Sequence, residues 1–147
     1  MTRKVTTVVP NDTASLMASM PFAAALGVEI TAATPQHVTA TMSWSPERCT
    51  TGGLLHGGAL MAFADTVGAV CAALNLPVGA GTATIESKTN FFRGVRAGVL
   101  TASSAPLHVG RRTIAVQTNL TDDRGKLVAQ VTQTQAVLTA IPETDTP

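Results

Sequence analysis

Apolar residues are most concentrated over residues 54–76, where the run LLHGGALMAFADTVGAVCAALNL contains one acid, Asp65, and no lysine or arginine. The length of the run and its flanking Gly and Pro residues predict one long helix over residues 57–75. Because this helix would be apolar on nearly all sides, it has to be covered on most of them. A carboxylate in such a helix needs a hydrogen-bonding partner, water or a chemical role.

The segments around this helix are rich in Val, Ile and Thr, which is typical of β-strands. Strands are predicted over residues 26–33, 37–44, 82–93, 98–107, 112–121 and 126–140. The run TDDRGKL predicts a hairpin turn that makes the last two strands antiparallel neighbours. A short helix over residues 12–20, with Asp12 as its N-cap, is expected to follow a loose tail over residues 1–11. This order predicts an α+β fold in which one antiparallel sheet curls around the long helix.

The composition and charge of the chain limit the classes of protein to which it can belong. The 147 residues suffice for one domain with its own core, and 45% of them are hydrophobic and 13% charged. A net charge of +1 and five aromatic residues disfavour nucleic acid as a partner. Cys49 and Cys71 lack metal-ligand spacing and are expected to be reduced thiols, which fits the cytoplasm. No export signal is visible, and Asp65 and Asn75 favour a buried helix over a membrane span for residues 54–76.

Three runs of sequence carry a resemblance to a known family: HGGALMAFADTVGA, TIESKTNFFRGVRAG and GRRTIAVQTNLTDDRGKLVAQVTQT. They resemble the hotdog-fold acyl-CoA thioesterases of the phenylacetic-acid-degradation type, over residues 22–138. The resemblance implies a hotdog fold and hydrolysis of an acyl- or aryl-CoA thioester to a carboxylic acid and coenzyme A. It further implies that no metal or redox cofactor takes part, and that the protein is a homodimer, often paired into a tetramer.

The resemblance also implies roles for single residues. Asp65 is implied as nucleophile or general base, the Gly57 N–H as the donor that holds the thioester carbonyl, and His56 as a residue that helps to position it. Thr84 falls where many members carry a hydroxyl that orients water. Members often have Asn or Gln six residues before the histidine, whereas this chain has Thr50, whose hydroxyl reaches less far than an amide.

Physical chemistry supports the two central roles independently. Two glycines at a helix start leave unpaired N–H groups at the positive end of the helix dipole, where a carbonyl can approach Gly57 closely. Asp65 in apolar surroundings would be poorly hydrated, and therefore a stronger base or nucleophile. The alternatives stay open: Asp65 could be exposed at a gap in the sheet, or paired with Arg93 or Lys88. His56 could be a simple helix cap.

Helix geometry adds a prediction about assembly. Nine residues of helix advance about 13.5 Å and turn a side chain to the opposite face. Gly57 and Asp65 of one chain are therefore not expected to share one substrate carbon. If both act on one thioester, they come from different subunits, and the unit is a dimer with two sites.

Substrate contacts are harder to assign than the chemistry. The residues predicted to contact substrate or coenzyme A are Gly58, Phe91, Arg93, Gly110, Arg111 and Arg112. The arginines would hold the phosphates of coenzyme A, or else they are solvated charges at strand ends. Gly110 would bring backbone N–H groups to the same phosphates, or else it forms a β-bulge. Thr84 could equally be a strand residue that serves packing alone. Candidate residues for lining an acyl pocket, which core packing explains equally well, are Phe22, Leu26, Phe63, Phe91 and Phe92. The alternative function, supported by Thr50, is a dimer that binds acyl-CoA or another apolar ligand without turnover.

Overall fold

The computed structural model of the protein describes residues 13–139. Its elements, in chain order, are α1 (Thr13–Ala18), α2 (Pro21–Ala25), β1 (Glu29–Ala33), β2 (Val38–Ser43), two 3₁₀ turns (Pro46–Arg48 and Thr51–Gly53), α3 (Gly57–Ala73), β3 (Gly81–Phe91), β4 (Val99–Val109), β5 (Thr113–Thr121) and β6 (Leu127–Leu138). The predicted cap Asp12, the predicted tail and Ala140 lie outside the described residues.

All the predicted elements within this range are present, with shifted ends. The first helix ends at Ala18, and Pro21 begins a second one, because proline fits the first turn of a helix but cannot continue one. The first strand starts at Glu29, three residues later than predicted, since Leu26 still donates to the Phe22 carbonyl at the end of α2. The long helix ends at Ala73, two residues early.

The six strands form one sheet in the order β1-β2-β4-β5-β6-β3, and every neighbouring pair is antiparallel. Helix α3 packs against all six strands. The predicted α+β architecture, one long helix enclosed by a single antiparallel sheet, is confirmed.

The core lies between α3 and the inner face of the sheet. Phe63 of α3 is fully buried there, as are Leu100 of β4 and Ile114 of β5. Cys71 is also buried, and burial raises the pKa of its thiol despite a hydrogen bond with Ser104 that acts in the opposite direction. Both cysteines of the chain are free thiols, as predicted.

The predicted turn between β5 and β6 is confirmed. The Asp122 carboxylate accepts the backbone N–H groups of Arg124 at 3.0 Å and Lys126 at 2.8 Å, and Gly125 supplies the left-handed backbone with φ 74°. The Lys126 N–H holds the pKa of the Asp122 carboxyl below its usual range.

One side of α3 is not covered by the sheet in the single chain. Met61 is 39% exposed on this side, Ala73 is exposed and Asp65 is half-buried. The neighbouring edge of the sheet is β3, where Ile85 is 59% and Phe91 49% exposed. The open side of α3 therefore lies beside an exposed edge strand of the sheet.

Candidate active site

Asp65 lies in the middle of α3, with its carboxylate directed towards β3 and β6. Its Oδ1 accepts two hydrogen bonds, from Thr84 Oγ1 at 3.1 Å and from Gln133 Nε2 at 3.0 Å. Neither donor is charged, so the alternative in which Asp65 pairs with Arg93 or Lys88 is wrong for the single chain. Asp65 and Thr84, predicted separately from the sequence, are thus in direct contact.

The direction of the hydrogen bond between Thr84 and Asp65 is fixed by a further hydrogen bond that Thr84 accepts. Gln135 Nε2 donates to Thr84 Oγ1 at 2.8 Å, so the single hydroxyl proton of Thr84 is directed at Asp65. Thr84 and Gln135 are direct cross-strand partners in the pairing of β3 with β6. Thr82 lies 3.1 Å from Gln135 Oε1 and extends the chain of polar groups.

Gln133 and Gln135 were not predicted as site residues. Both are completely or almost completely buried, at 0% and 1% exposure. The signal that could have found them is the two-residue period of β6, because Ala129 and Val131 face inwards and the same side of the strand continues with the two glutamines.

The start of α3 contains the predicted oxyanion donor. Within residues 13–139 the Gly57 N–H donates to no acceptor, whereas the Gly58 N–H donates to His56 Nδ1 at 2.8 Å. Gly58 is therefore not free to bind substrate through its N–H, and His56 is a helix cap, which was the simpler of its two interpretations. The Phe91 ring lies against Gly57, with its Cζ 3.3 Å from the point where a Cβ would be.

Gly57 and Asp65 are separated along one helix. They are eight residues apart, which corresponds to about 12 Å of rise and a net rotation of about 80°. The predicted placement on opposite faces, which counted nine residues, is therefore wrong. The axial distance alone still keeps the two groups from acting on one atom.

Thr50 lies in the loop before α3. It is exposed, and its N–H donates to the Leu54 carbonyl at 2.8 Å. In the described part of the chain its hydroxyl makes no hydrogen bond to Asp65 or Thr84. It therefore does not orient the carboxylate within its own chain.

Two cavities border the Asp65 region. A small one of about 210 Å³ is lined by Met61, Ala62, Asp65, Thr84 and Ser87. A larger one of about 520 Å³ starts at Ala69, one helical turn after Asp65, and is almost wholly apolar. Its other lining residues include Leu16, Met20, Ala73, Leu76, Val78 and Thr82. The predicted lining residues Phe22, Leu26, Phe63, Phe91 and Phe92 do not border it.

The predicted phosphate-binding residues lie at opposite ends of the sheet. Arg93 borders a surface cavity of about 470 Å³ that is also lined by Phe92, Gly94, Asp122, Arg124 and Lys126. Arg111 and Arg112 lie in the β4–β5 turn, and the nine residues of β5 place that turn about 27 Å from the Arg93 end. The Gly110 N–H donates to the Thr113 carbonyl at 2.8 Å, so this N–H is already engaged within the chain. That Gly110 brings other backbone N–H groups to phosphate stays a prediction.

Within the described residues, no three His, Cys, Asp or Glu side chains come together as a possible metal site. No helix in the same range is long and apolar enough to cross a membrane.

A family model described as the thioesterase superfamily matches residues 52–129, just over half of the chain. The chain belongs to the thioesterase superfamily. The expected class of enzyme, a thioester hydrolase with the hotdog fold, is thereby confirmed.

Individual relatives of this thioesterase agree in fold and class. Thioesterase HI1161 from Haemophilus influenzae superposes with a TM-score of 0.86 at 28% identity, covering 97% of this chain and 99% of that one. A mutant of thioesterase PA1618 from Pseudomonas aeruginosa has a TM-score of 0.84 at 29% identity, covering 90% and 97%. The 1,4-dihydroxy-2-naphthoyl-CoA hydrolase of Escherichia coli is 33% identical over 86 residues, which are 58% of this chain and 63% of that protein.

Proposed function

We propose that this thioesterase is of the phenylacetic-acid-degradation type and hydrolyses acyl- or aryl-CoA thioesters to a carboxylic acid and free coenzyme A. The observation that carries the proposal is the setting of Asp65. Oδ1 is held by Thr84 and Gln133, while no donor in residues 13–139 binds Oδ2, and the side chain borders a cavity. The reaction needs no metal or redox cofactor, and the two free thiols fit a cytoplasmic enzyme.

Two routes use the same free oxygen. As general base, Asp65 Oδ2 takes a proton from water while the water oxygen bonds to the thioester carbon; the C–S bond then breaks, and the thiolate leaves and recovers a proton. As nucleophile, Oδ2 itself bonds to that carbon and expels the thiolate, and water then hydrolyses the resulting anhydride. Both routes place negative charge on the carbonyl oxygen, which requires an N–H donor.

The Gly57 N–H suits that requirement, but only from a second copy of the chain. A reacting carbon has to lie about 3 Å from both the attacking group and the oxyanion donors, whereas eight residues of helix separate Gly57 from Asp65. Two antiparallel copies of α3 across a two-fold axis would bring Gly57 of the partner subunit to Asp65. We therefore propose a homodimer with two sites, which can pair further into a tetramer.

The strand β3 supports this assembly. It forms an edge of the sheet over eleven residues, most of which are exposed, and it carries the exposed apolar side chains Ile85 and Phe91. The buried hydroxyls of Ser87 and Thr89 have no partner within the described residues. A long unpaired edge with these properties is a template for pairing with a second strand.

The apolar cavity beside Asp65 supports a mid-sized apolar acyl group as the substrate class. Its volume of about 520 Å³ falls in the usual range of small-molecule pockets, about 300–1,000 Å³. Within the described residues its lining is mainly aliphatic and contains no aromatic side chain, so aliphatic and aryl groups are both compatible with it. For the phosphates of coenzyme A we propose the Arg93 cavity, because Phe91 links that end of β3 to Gly57.

The test compares the wild type with Asp65→Asn on a panel of acetyl-, hexanoyl-, decanoyl-, benzoyl- and phenylacetyl-CoA, with a thiol reagent reporting free coenzyme A. We expect Asp65→Asn to lower kcat by about 10²- to 10⁴-fold, since it removes the base or nucleophile. Glu29→Gln, an exposed acid of β1, is the control and should keep wild-type rates. Tight binding of acyl-CoA by the wild type without thiol release would instead support the non-catalytic alternative.

A further inference from the structure

Gln133 is a buried amide in which only one of the two polar atoms is hydrogen-bonded within the described residues. Its Nε2 donates to Asp65 Oδ1, whereas its Oε1 is buried with no partner within the described residues. An unpaired buried carbonyl lowers stability, and an apolar side chain such as that of neighbouring Val131 would avoid the loss. The advantage of an amide at this position therefore lies in the N–H that it directs at Asp65.

The orientation of the amide is set by the acceptor oxygen of Asp65. If the amide were reversed, Oε1 would face a carboxylate oxygen, and Nε2 would be the buried group without a partner. An ionised carboxylate accepts hydrogen bonds only, so it selects the orientation in which Nε2 donates. The hydrogen bond to Asp65 therefore leaves Oε1 of Gln133 without a partner in the described residues.

Gly68 makes this arrangement possible. It lies on α3 three residues after Asp65, and a Cβ at this position would overlap Oε1 of Gln133 and lie 2.6 Å from its Cδ. Any other residue at 68 would push the amide away from the carboxylate. A glycine within a helix also lowers stability relative to alanine, so two unfavourable choices meet at one contact.

We propose that Gln133 is a positioning residue: together with Thr84 it fixes Oδ1 of Asp65, so that Oδ2 is the oxygen that reacts, and Gly68 gives the amide its room. The inference rests on the proposed function, since it states how the reacting carboxylate is held. Gln133 acts only through Asp65 and has no contact of its own with substrate.

The first experiment is Gln133→Met, which keeps the length of the side chain and removes the donor. We expect kcat on the best acyl-CoA to fall by about 10- to 100-fold, because a misplaced reacting group costs about that much. KM should change by less than about threefold, and the melting temperature should equal or exceed that of the wild type, because no unpaired carbonyl remains. Gln130→Met is the control on the same strand: Gln130 donates to Asn119 at 3.0 Å, is not in contact with Asp65, and should keep its kcat.

The second experiment is a double-mutant cycle between positions 68 and 133. Gly68→Ala in the wild type should lower kcat as Gln133→Met does, because it displaces the amide. In a Gln133→Ala background the same change has nothing to displace. There it should leave kcat at the value of the single variant and raise the melting temperature, since alanine favours the helix.

The outcomes separate the inference from the proposed function. Thiol release by the wild type and its loss in Asp65→Asn establish the function without reference to Gln133. If both hold, and Gln133→Met keeps the wild-type kcat or loses activity only in proportion to unfolded protein, the positioning role is wrong. Gly68→Ala effects that are equal in both backgrounds would also overturn it. If the wild type releases no thiol from any acyl-CoA, the proposed function fails, and the positioning role fails with it.

Discussion

At the scale of single residues, Gln133 and Gly68 each lower the stability of the folded chain. The unpaired Oε1 of Gln133 costs about 1–3 kcal/mol, and Gly68 within α3 costs about 1 kcal/mol relative to alanine. The total stability of a domain is only about 5–15 kcal/mol. Two such losses at one contact, directly beside Asp65, indicate a position where orientation of the carboxylate matters more than packing.

The donors around Asp65 are neutral. Thr84 and Gln133 restrict rotation of the carboxylate without adding a positive charge. The site therefore fixes the orientation of the Asp65 carboxylate through neutral donors alone.

Gly57 allows a direct test of the oxyanion donor. It occupies the first position of α3, where proline is compatible with a helix, and His56 before it already has the extended backbone that precedes proline, with φ −63° and ψ 135°. Gly57→Pro removes the N–H while the helix start persists. We expect kcat to fall by about 10²- to 10³-fold, as for other lost oxyanion donors, measured by thiol release at saturating acyl-CoA.

Gly57→Ala is the matched control for that variant. It keeps the N–H and adds the same first carbon near Phe91, whose half-exposed ring has room to move. Its kcat should exceed that of Gly57→Pro by at least about tenfold, because the N–H donor remains. Equal losses in the two variants would mean that crowding against Phe91, and not the missing donor, explains them.

At the scale of elements, the local patterns were sufficient to predict the first short helix, the long helix and all six strands, but not the separate helix α2 that begins at Pro21. Period, apolar content and turn residues are properties of neighbouring positions, so the long helix and the β5–β6 hairpin could be placed from the sequence. The contact of Thr84 with Gln135 joins positions 51 residues apart, in two strands that no hairpin connects. Which strands pair, and in which register, is decided by tertiary packing. Asp65 and Thr84 could therefore be named separately, while the glutamines that hold them could not.

The last turns of α3 form a wall of the apolar cavity, and this gives a prediction about substrate size. Ala73→Leu keeps a good helix former and adds a side chain that projects into the cavity. We expect kcat/KM for decanoyl-CoA to fall by at least about tenfold, because overpacking a cavity costs about 1–3 kcal/mol, while acetyl-CoA hydrolysis is unchanged. The same panel of thioesters measures both values. An equal loss for acetyl-CoA would show that the change disturbs the enzyme and not an acyl pocket.

At the scale of the whole molecule, the two edges of the sheet differ in how readily they can pair with a strand of another subunit. The β1 edge is five residues long and is interrupted by an irregularity between Ile30 and Ala32, features that discourage pairing. The β3 edge is eleven residues long and lies beside the open side of α3. Antiparallel pairing of β3 with its copy would bring the Thr84 end of one strand towards the Phe91 end of the other. That arrangement would place a free N–H of one subunit near the carboxylate of the next.

This assembly predicts complementation between two inactive variants. A heterodimer of Asp65→Asn with Gly57→Pro contains one site in which both groups are intact, if each site takes Gly57 and Asp65 from different subunits. Random exchange of subunits between the two variants makes half of all dimers heterodimers. Each heterodimer has one intact site out of two, so about one quarter of the wild-type activity should return. Each variant would carry its own affinity tag, and the doubly purified heterodimer should have about half of the wild-type kcat per dimer. If Gly57 and Asp65 acted within one chain, every site of the heterodimer would lack one of them, and mixing would restore nothing.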